Sequence, residues 1–184
     1  MSKLLKPAIV LALICAVAAS LLAIVNNVTA PIIYEYENAV LLSALRDVSG
    51  GKEIGDKTVV NGEYVSNSYQ LKENGAASGY VLDLKTTGYG GEFTLVAAYD
   101  KDGAVTAVKL VSHAETPGMG KRFEEAANIG IFVGYGTDTS PVPESKSDLT
   151  ADDTVVVSGA TITFTGIARA LAAGSAYVKS QGGR

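Results

Sequence analysis

The run "PAIVLALICAVAASLLAIV", Pro7 to Val25, holds no charged side chain and no amide, and the uncharged stretch continues to Tyr34. About 20 apolar residues span the hydrocarbon core of a bilayer as a helix. The run therefore predicts a membrane anchor at the N-terminus. Lys3 and Lys6 precede it, and the first charges after it are Glu35 and Glu37. By the positive-inside tendency this puts the N-terminus in the cytoplasm and the remainder of the chain outside. A cleaved signal peptide would have a shorter apolar region ending at a small-residue site. Ala16–Ser20 could form such a site, but a further apolar stretch, Leu21–Val25, follows it and favours an uncleaved anchor. Cys15 lies inside the run behind Ile14, so it reads as a small apolar residue of the helix and not as a lipid-attachment site.

Composition removes several functions. With 19 acidic against 15 basic residues and a net charge of -4, the chain offers no basic stripe, and no nucleic-acid partner is expected. One cysteine excludes an intramolecular disulfide, a cysteine zinc site and an iron–sulfur cluster. One histidine, His113, argues against a histidine-rich metal site, and no metal is expected.

The expected organisation is an N-terminal tail and anchor over 1–29, a helical stalk or linker over 30–58, and a domain over 59–184. The segment "NNVTAPII" reads as a break. Beyond it Ala39, Val40, Leu41, Ala44, Leu45 and Val48 recur at helical spacing, and Gly50-Gly51 stops the pattern. Strands are expected around "EYVSNSYQL", over Tyr80–Thr86, and over Phe93–Asp100 and Ala104–Ser112. The last two flank "DKDG" as an antiparallel hairpin with Gly103 at positive φ. A short helix is expected in "GKRFEEAANIGIF", and a polar surface loop over 134–153. A strand "TVVVS" and a terminal helix follow; the helix has Ile167, Leu171, Gly174 and Val178 on one face. Strands followed by segregated helices indicate an α+β fold.

Three motifs carry chemistry. "SGAT", Ser158 to Thr161, reads as a joint between a strand and a helix. A helix N-terminus has free N–H groups and a partial positive charge that stabilise a phosphate. Gly159 and Ala160 allow close approach, and Thr161 offers a hydroxyl there. The bland alternative is a turn with Thr161 or Thr163 as N-cap. "SHAETPGMG", Ser112 to Gly120, ends the hairpin. Its glycines Gly118 and Gly120 would expose main-chain groups to a flat polar heterocycle, with Met119 against its face. The bland reading makes Glu115 a solvated charge. "TTGYGGEF", Thr87 to Phe93, places Tyr89 among Gly88, Gly90 and Gly91, either as a stacking tyrosine in a cradling loop or as a glycine-rich β-turn. The Gly-Lys-Ser/Thr ending of a P-loop is absent. "DKDG" lacks the further ligands of a calcium loop. No nucleophile elbow is present.

Taken together, "LLKPAIVLALI", the "NN" after it, "GYGG", "HAETPGMG" and "SGATIT" resemble the G subunit of the Rnf-type ion-translocating ferredoxin:NAD oxidoreductase complex. The C subunit of the sodium-translocating NADH:quinone reductase is a close relative of that protein. The resemblance runs over nearly the whole chain and in the same order. It implies a single transmembrane helix followed by an extracytoplasmic FMN-binding domain with an antiparallel sheet and flanking helices. It implies FMN joined through a phosphoester bond to Thr161, next to Ser158, Gly159 and Ala160. A separate flavin transferase would attach it, with FAD as donor. Glu115, Thr116, Gly118, Met119 and Gly120 would line the flavin site, with Gly88 and Tyr89 close by. Other membrane subunits of the redox complex would be the partners, and no side chain need act as an acid or base. The family's usual aspartate before the threonine is Val155 here, its leucine in ETPGLG is Met119, and Phe164 follows "SGATIT" where a small polar residue is usual. A membrane-anchored FMN module with a sensory or regulatory role would use the same motifs; co-purification with membrane redox subunits separates the two.

Overall fold

The computed structural model describes residues 2–182, with side chains from residue 5 onward. Helix α1, Ser2–Val48, is long and apolar enough to cross a membrane. It continues through both Pro7 and Pro31, so the break expected at "NNVTAPII" is absent, and the helical pattern expected beyond that break lies in its last third. Pro31 removes one intrahelical N–H donor, a loss that membrane helices tolerate. Hydroxyls back-bond along the same stretch: Ser20 donates to the Ala16 carbonyl at 2.7 Å and Thr29 to that of Val25 at 2.9 Å.

Packing divides the chain between Val40 and Leu41. In the N-terminal unit the apolar side chains are exposed, Leu13 and Leu22 among them. The second unit holds a five-stranded antiparallel meander in the order β1-β2-β3-β4-β5. Its strands are β1 Glu53–Val59, β2 Val65–Glu73, β3 Ala76–Gly88, β4 Gly91–Asp100 and β5 Val105–Ser112. Strand β1 falls in the stretch expected to be stalk. It is an edge strand whose side chains are mostly exposed, so it lacks the alternation that marks a half-buried strand.

Both sheet faces are covered. Leu82, Leu84, Phe93, Leu95 and Tyr99 face a core completed by the C-terminal helix α4, Thr161–Gly182. Tyr69, Leu71, Val81, Val96 and Ala98 face Ala44, Leu45 and Val48 at the end of α1. Central strands buried on both faces read as continuous apolar runs, which is why "YVLDL" and "TLVAA" do not alternate. Asp83 is the polar exception: it is buried, and one oxygen accepts from Asn67 Nδ2 at 2.7 Å. Burial, and secondarily this carboxylate, push the Tyr69 phenol above its ordinary range.

The hairpin β4–β5 forms as expected, with Gly103 at φ +83°. Asp100 Oδ1 accepts from the amides of Asp102 at 2.9 Å and Ala104 at 2.8 Å, so the acid of "DKDG" serves the turn. One-turn helices follow: a 3-10 turn Gly120–Glu124, α2 Ala126–Ile129 and a 3-10 turn Gly130–Phe132. The polar segment from Gly134 is pinned to the start of β5 by Val105 N to Tyr135 O and Gly134 N to Val105 O, both at 2.8 Å.

"TVVVS" is not a strand. Thr154–Val157 belong to α3, Ala151–Val157, and the joint before Thr161 links two helices that meet at 110°. The cause is local. Thr150 caps α3 by accepting from Asp153 N at 3.2 Å, and Asp152 and Asp153 sit in its first turn, where a helix favours negative charge. These effects outweigh the weak helix propensity of three consecutive valines. Only Val157 of the three is fully buried; Val155 is 70% exposed.

Candidate functional site

Helix α4 begins at Thr161, and the first helical bond runs from Phe164 N to Ala160 O at 2.9 Å. Ala160 therefore occupies the capping position and has no side chain that could cap. The amides of Thr161, Ile162 and Thr163, the first of the helix, have no intrahelical acceptor. Neither threonine is an N-cap: Thr161 is the first helical residue, and Thr163 turns inward. Thr161 is exposed, and its hydroxyl has no hydrogen-bond partner among the described residues. Gly159, at φ +79°, makes the bend, and a Cβ there would meet nothing within 4 Å. Ser158 is exposed beside it. The space in front of the helix start is open and its donors are free, which is what an esterified phosphate group requires.

Behind the helix start the structure is closed, and Glu115 closes it. The residue is only 6% exposed. Its Oε2 accepts from the Thr163 hydroxyl at 2.7 Å, and its Oε1 accepts from Gly90 N at 3.1 Å. One carboxylate thus joins helix α4, the β3–β4 turn and the segment after β5. Three glycines admit it. A Cβ on Gly88 or Gly120 would collide with the Glu115 carboxylate, and one on Gly90 would collide with the Ala114 carbonyl. Gly88 of "GYGG" and Gly120 of "PGMG" are therefore required by this buried acid, whereas Gly91 and Gly118 have open space and serve their positive φ, +116° and +77°. His113 supports it from behind: Nδ1 accepts from Glu115 N at 3.2 Å, which leaves the ring proton on Nε2, 2.7 Å from Glu124 Oε1.

Of the main-chain groups expected to be free here, both of Met119 and the Gly118 carbonyl are in use. Met119 N donates to Thr116 O, and Met119 O accepts from Arg122 N, both at 3.1 Å. The Arg122 guanidinium bonds the Gly118 carbonyl and, at 3.2 Å, that of Val156, tying this loop to α3. Thr116, Gly118 and the Met119 and Tyr89 side chains are exposed. The structure thus brings together Thr161, Glu115, Gly120, Gly88 and Gly90 around one helix start, and leaves Tyr89 standing outward.

A cleft of about 530 Å³ opens on the other side of Thr161. Tyr64, Lys85, Glu92, Thr161, Thr165 and Arg169 line it, together with Glu63 and the ends of β3. Sequence reasoning singles out only Thr161 of these. The signal for two others is present: Thr161, Thr165 and Arg169 recur at every fourth position, hence on one helical face. Lys85 and Tyr64 reach the cleft through the sheet, where Lys85 N bonds Tyr64 O at 2.8 Å, and carry no local pattern. An exposed acceptor hydroxyl, free helix amides and an adjoining cleft of ligand size fit a flavin mononucleotide held through its phosphate.

Comparison with known proteins agrees. Residues 88–175 match the model of the FMN-binding domain, and residues 1–48 match that of the RnfG N-terminal region. The chain is 28% identical to the G subunit of the proton-translocating ferredoxin:NAD(+) oxidoreductase complex of Clostridium ljungdahlii, over 83% of this chain and 80% of the relative. It is 27% identical to the G subunit of the ion-translocating oxidoreductase complex of Stutzerimonas stutzeri, over 89% and 78%. It is 26% identical to the protein of that same description from Vibrio atlanticus, over 94% and 89%. An apolar N-terminal helix, an antiparallel five-stranded domain closed by α4, and matches at both ends of the chain agree: over most of its length this chain is similar to the G subunits of Rnf-type ion-translocating oxidoreductase complexes.

Proposed function

We propose that this chain is the membrane-anchored electron-carrier subunit of an ion-translocating oxidoreductase complex, and that it works through FMN attached covalently to Thr161. The observation that carries the reading is the start of α4, where an exposed hydroxyl, without a partner among the described residues, stands on a helix end with no side-chain cap. A phosphate ester there places negative charge on the free amides of Thr161–Thr163. When bound, FMN supplies the electron-transfer chemistry. The chain's own residues attach and orient it. Ser158, Gly159 and Ala160 give the phosphate room. Glu115 holds Thr163, and so the first turn of α4, against the β3–β4 turn and the loop containing Thr116, Gly118, Met119 and Gly120. Gly88 and Gly120 make space for that carboxylate, and Tyr89 and Met119 flank the site at the surface.

The charges around the apolar helix orient the protein, with Lys3 and Lys6 on the cytoplasmic side and the domain outside. A covalent tether keeps the flavin from diffusing away on that face. A flavin transferase performs the attachment, and the other membrane subunits of the complex are the redox partners.

The test is fluorescence of the denatured protein in a gel under ultraviolet light, after co-expression with its flavin transferase. The wild-type band is expected to fluoresce and the Thr161→Ala band to be dark, with both proteins folded. A fluorescent Thr161→Ala band would place the flavin elsewhere, and a dark wild-type band would remove the covalent link.

A further inference from the structure

We propose that His113 is a proton-operated catch on the loop that braces the start of α4: neutral, it holds the loop shut, and protonated, it lets the Glu115 bracket loosen. The loop runs from the end of β5 to the end of the 3-10 turn Gly120–Glu124, and it carries Glu115, Gly118, Met119 and Gly120. The His113 ring ties its two ends together. Nδ1 accepts from Glu115 N at 3.2 Å, and Nε2 lies 2.7 Å from Glu124 Oε1. The side chain is only 10% exposed, so the ring is held in place.

The two contacts make different demands on the ring. Toward Glu124 it donates, which neutral and charged imidazole both do. Toward Glu115 it accepts, which only the neutral ring does. A proton taken from solvent onto Nδ1 sets one N–H against another there. The Glu124 contact becomes an ion pair at the same moment, so the ring stays with Glu124 and the Glu115 amide is released. The new ion pair does not offset that loss. Glu124 is 47% exposed, and a solvent-exposed pair contributes little, whereas a part-buried N–H left without an acceptor costs more. Acid therefore loosens the loop, and with it the carboxylate that holds Thr163 and the first turn of α4.

The other charges nearby are engaged elsewhere. Lys121 lies 4.0 Å from Glu124 Oε2, and the Arg122 guanidinium bonds the Gly118 and Val156 carbonyls. Glu125 accepts from Asn128 Nδ2 at 3.1 Å, and both Glu115 oxygens are taken by Gly90 and Thr163. Helix α2 is uncharged, and so is Thr94, which faces Ser112 across β4 and β5. Imidazole is the side chain that ordinarily changes charge between about pH 5 and about pH 8, and His113 is the chain's only one. With the domain on the extracytoplasmic face, where pH follows the surroundings, the catch makes the support of Thr161 respond to external acidity. That consequence rests on the orientation proposed above, and the catch itself does not.

The experiment is hydrogen–deuterium exchange of the full-length protein in detergent, read by mass spectrometry between about pH 8 and about pH 5.5 and corrected for the intrinsic exchange rate at each pH. Peptides over residues 86–95 and 111–122 report the bracket, and the β2–β3 hairpin is the internal reference. Wild type is compared with His113→Asn and Glu124→Gln. An asparagine side chain accepts from the amide two residues on but takes up no proton. In wild type, protection of both bracket peptides is expected to fall several-fold with acid while the reference holds. His113→Asn is expected to abolish the fall. Glu124→Gln is expected to displace it to lower pH, because the carboxylate that favours the charged ring is gone. Flat wild-type protection, or an acid-induced loss in His113→Asn equal to that of wild type, overturns the proposal. If His113→Asn is already open at the highest pH, Glu124→Gln decides, and an unchanged midpoint there overturns the proposal equally. None of these readings needs flavin, so their failure leaves attachment at Thr161 standing, and a dark wild-type band in the gel leaves the catch standing.

Discussion

The two sides of the α4 start are built in opposite ways. On the Glu115 side both carboxylate oxygens have a partner, and Gly88, Gly90 and Gly120 are present because a methyl group would strike a carboxylate or a carbonyl. On the Ser158–Thr161 side the glycine is present only for its backbone angle, and the hydroxyl and first amides have no partner among the described residues. Two classes of glycine, indistinguishable in the sequence, thus accompany a closed half that fixes position and an open half. A buried, fully bonded support beneath an exposed reactive group is how a site is held rigid without being blocked.

Substitutions sharpen the contrast, beginning with the most damaging. Gly120→Ala forces the Glu115 carboxylate out of its place and is expected to destabilise the domain by about 3 kcal/mol; thermal or denaturant unfolding measures it. Glu115→Gln keeps the shape but removes the charge: its carbonyl can still accept from Gly90 N–H and its NH2 can donate to the Thr163 oxygen, so two charge-assisted bonds become neutral ones. A loss of about 2 kcal/mol is expected, together with slower flavin attachment as the first turn of α4 loosens. Gly159→Ala meets no atom and strains only the backbone, at a cost of about 1 kcal/mol. If Gly159→Ala proves as costly as Gly120→Ala, the division into closed and open halves is wrong.

The middle of α4 supplies a control away from the helix start. Tyr99 is fully buried and donates to the Leu171 carbonyl at 3.2 Å. Burial pushes its phenol far above the usual tyrosine range. The folded state therefore holds this proton where the unfolded chain releases it, so stability is full below about pH 10 and falls as pH rises beyond it. Tyr99→Phe is expected to lose about 1 kcal/mol at neutral pH and to unfold less steeply in alkali, with flavin attachment unchanged.

How much of this is legible in the sequence depends on range. The anchor, the β4–β5 hairpin and the buried face of α4 are local patterns, and each forms as its pattern predicts. Helix α3 is disguised because Val155–Val157 suggest a strand, whereas the deciding signal is the cap: Thr150 three residues before Asp153. Strand β1 has almost no buried side chain and leaves no pattern to read. The sequence motif singles out Thr161, and the structure places it, exposed, at the start of α4. The role of Glu115 is not legible, since its partners Gly90 and Thr163 lie 25 and 48 residues away, and an acid beside Pro-Gly looks like any solvated turn. The cleft is invisible for the same reason, apart from the four-residue spacing of Thr161, Thr165 and Arg169.

The meander order of the sheet has a consequence for biosynthesis. Each strand pairs with the one made just before it, so the sheet can assemble hairpin by hairpin as the chain is produced. The helix that fills its core is the last element, and the bond that orders its first turn waits for Thr163 to meet an acid made 48 residues earlier. The Thr161 hydroxyl is thus in place only once the sheet and α4 have come together. Attachment at Thr161, as proposed above, would select folded domains over those still folding.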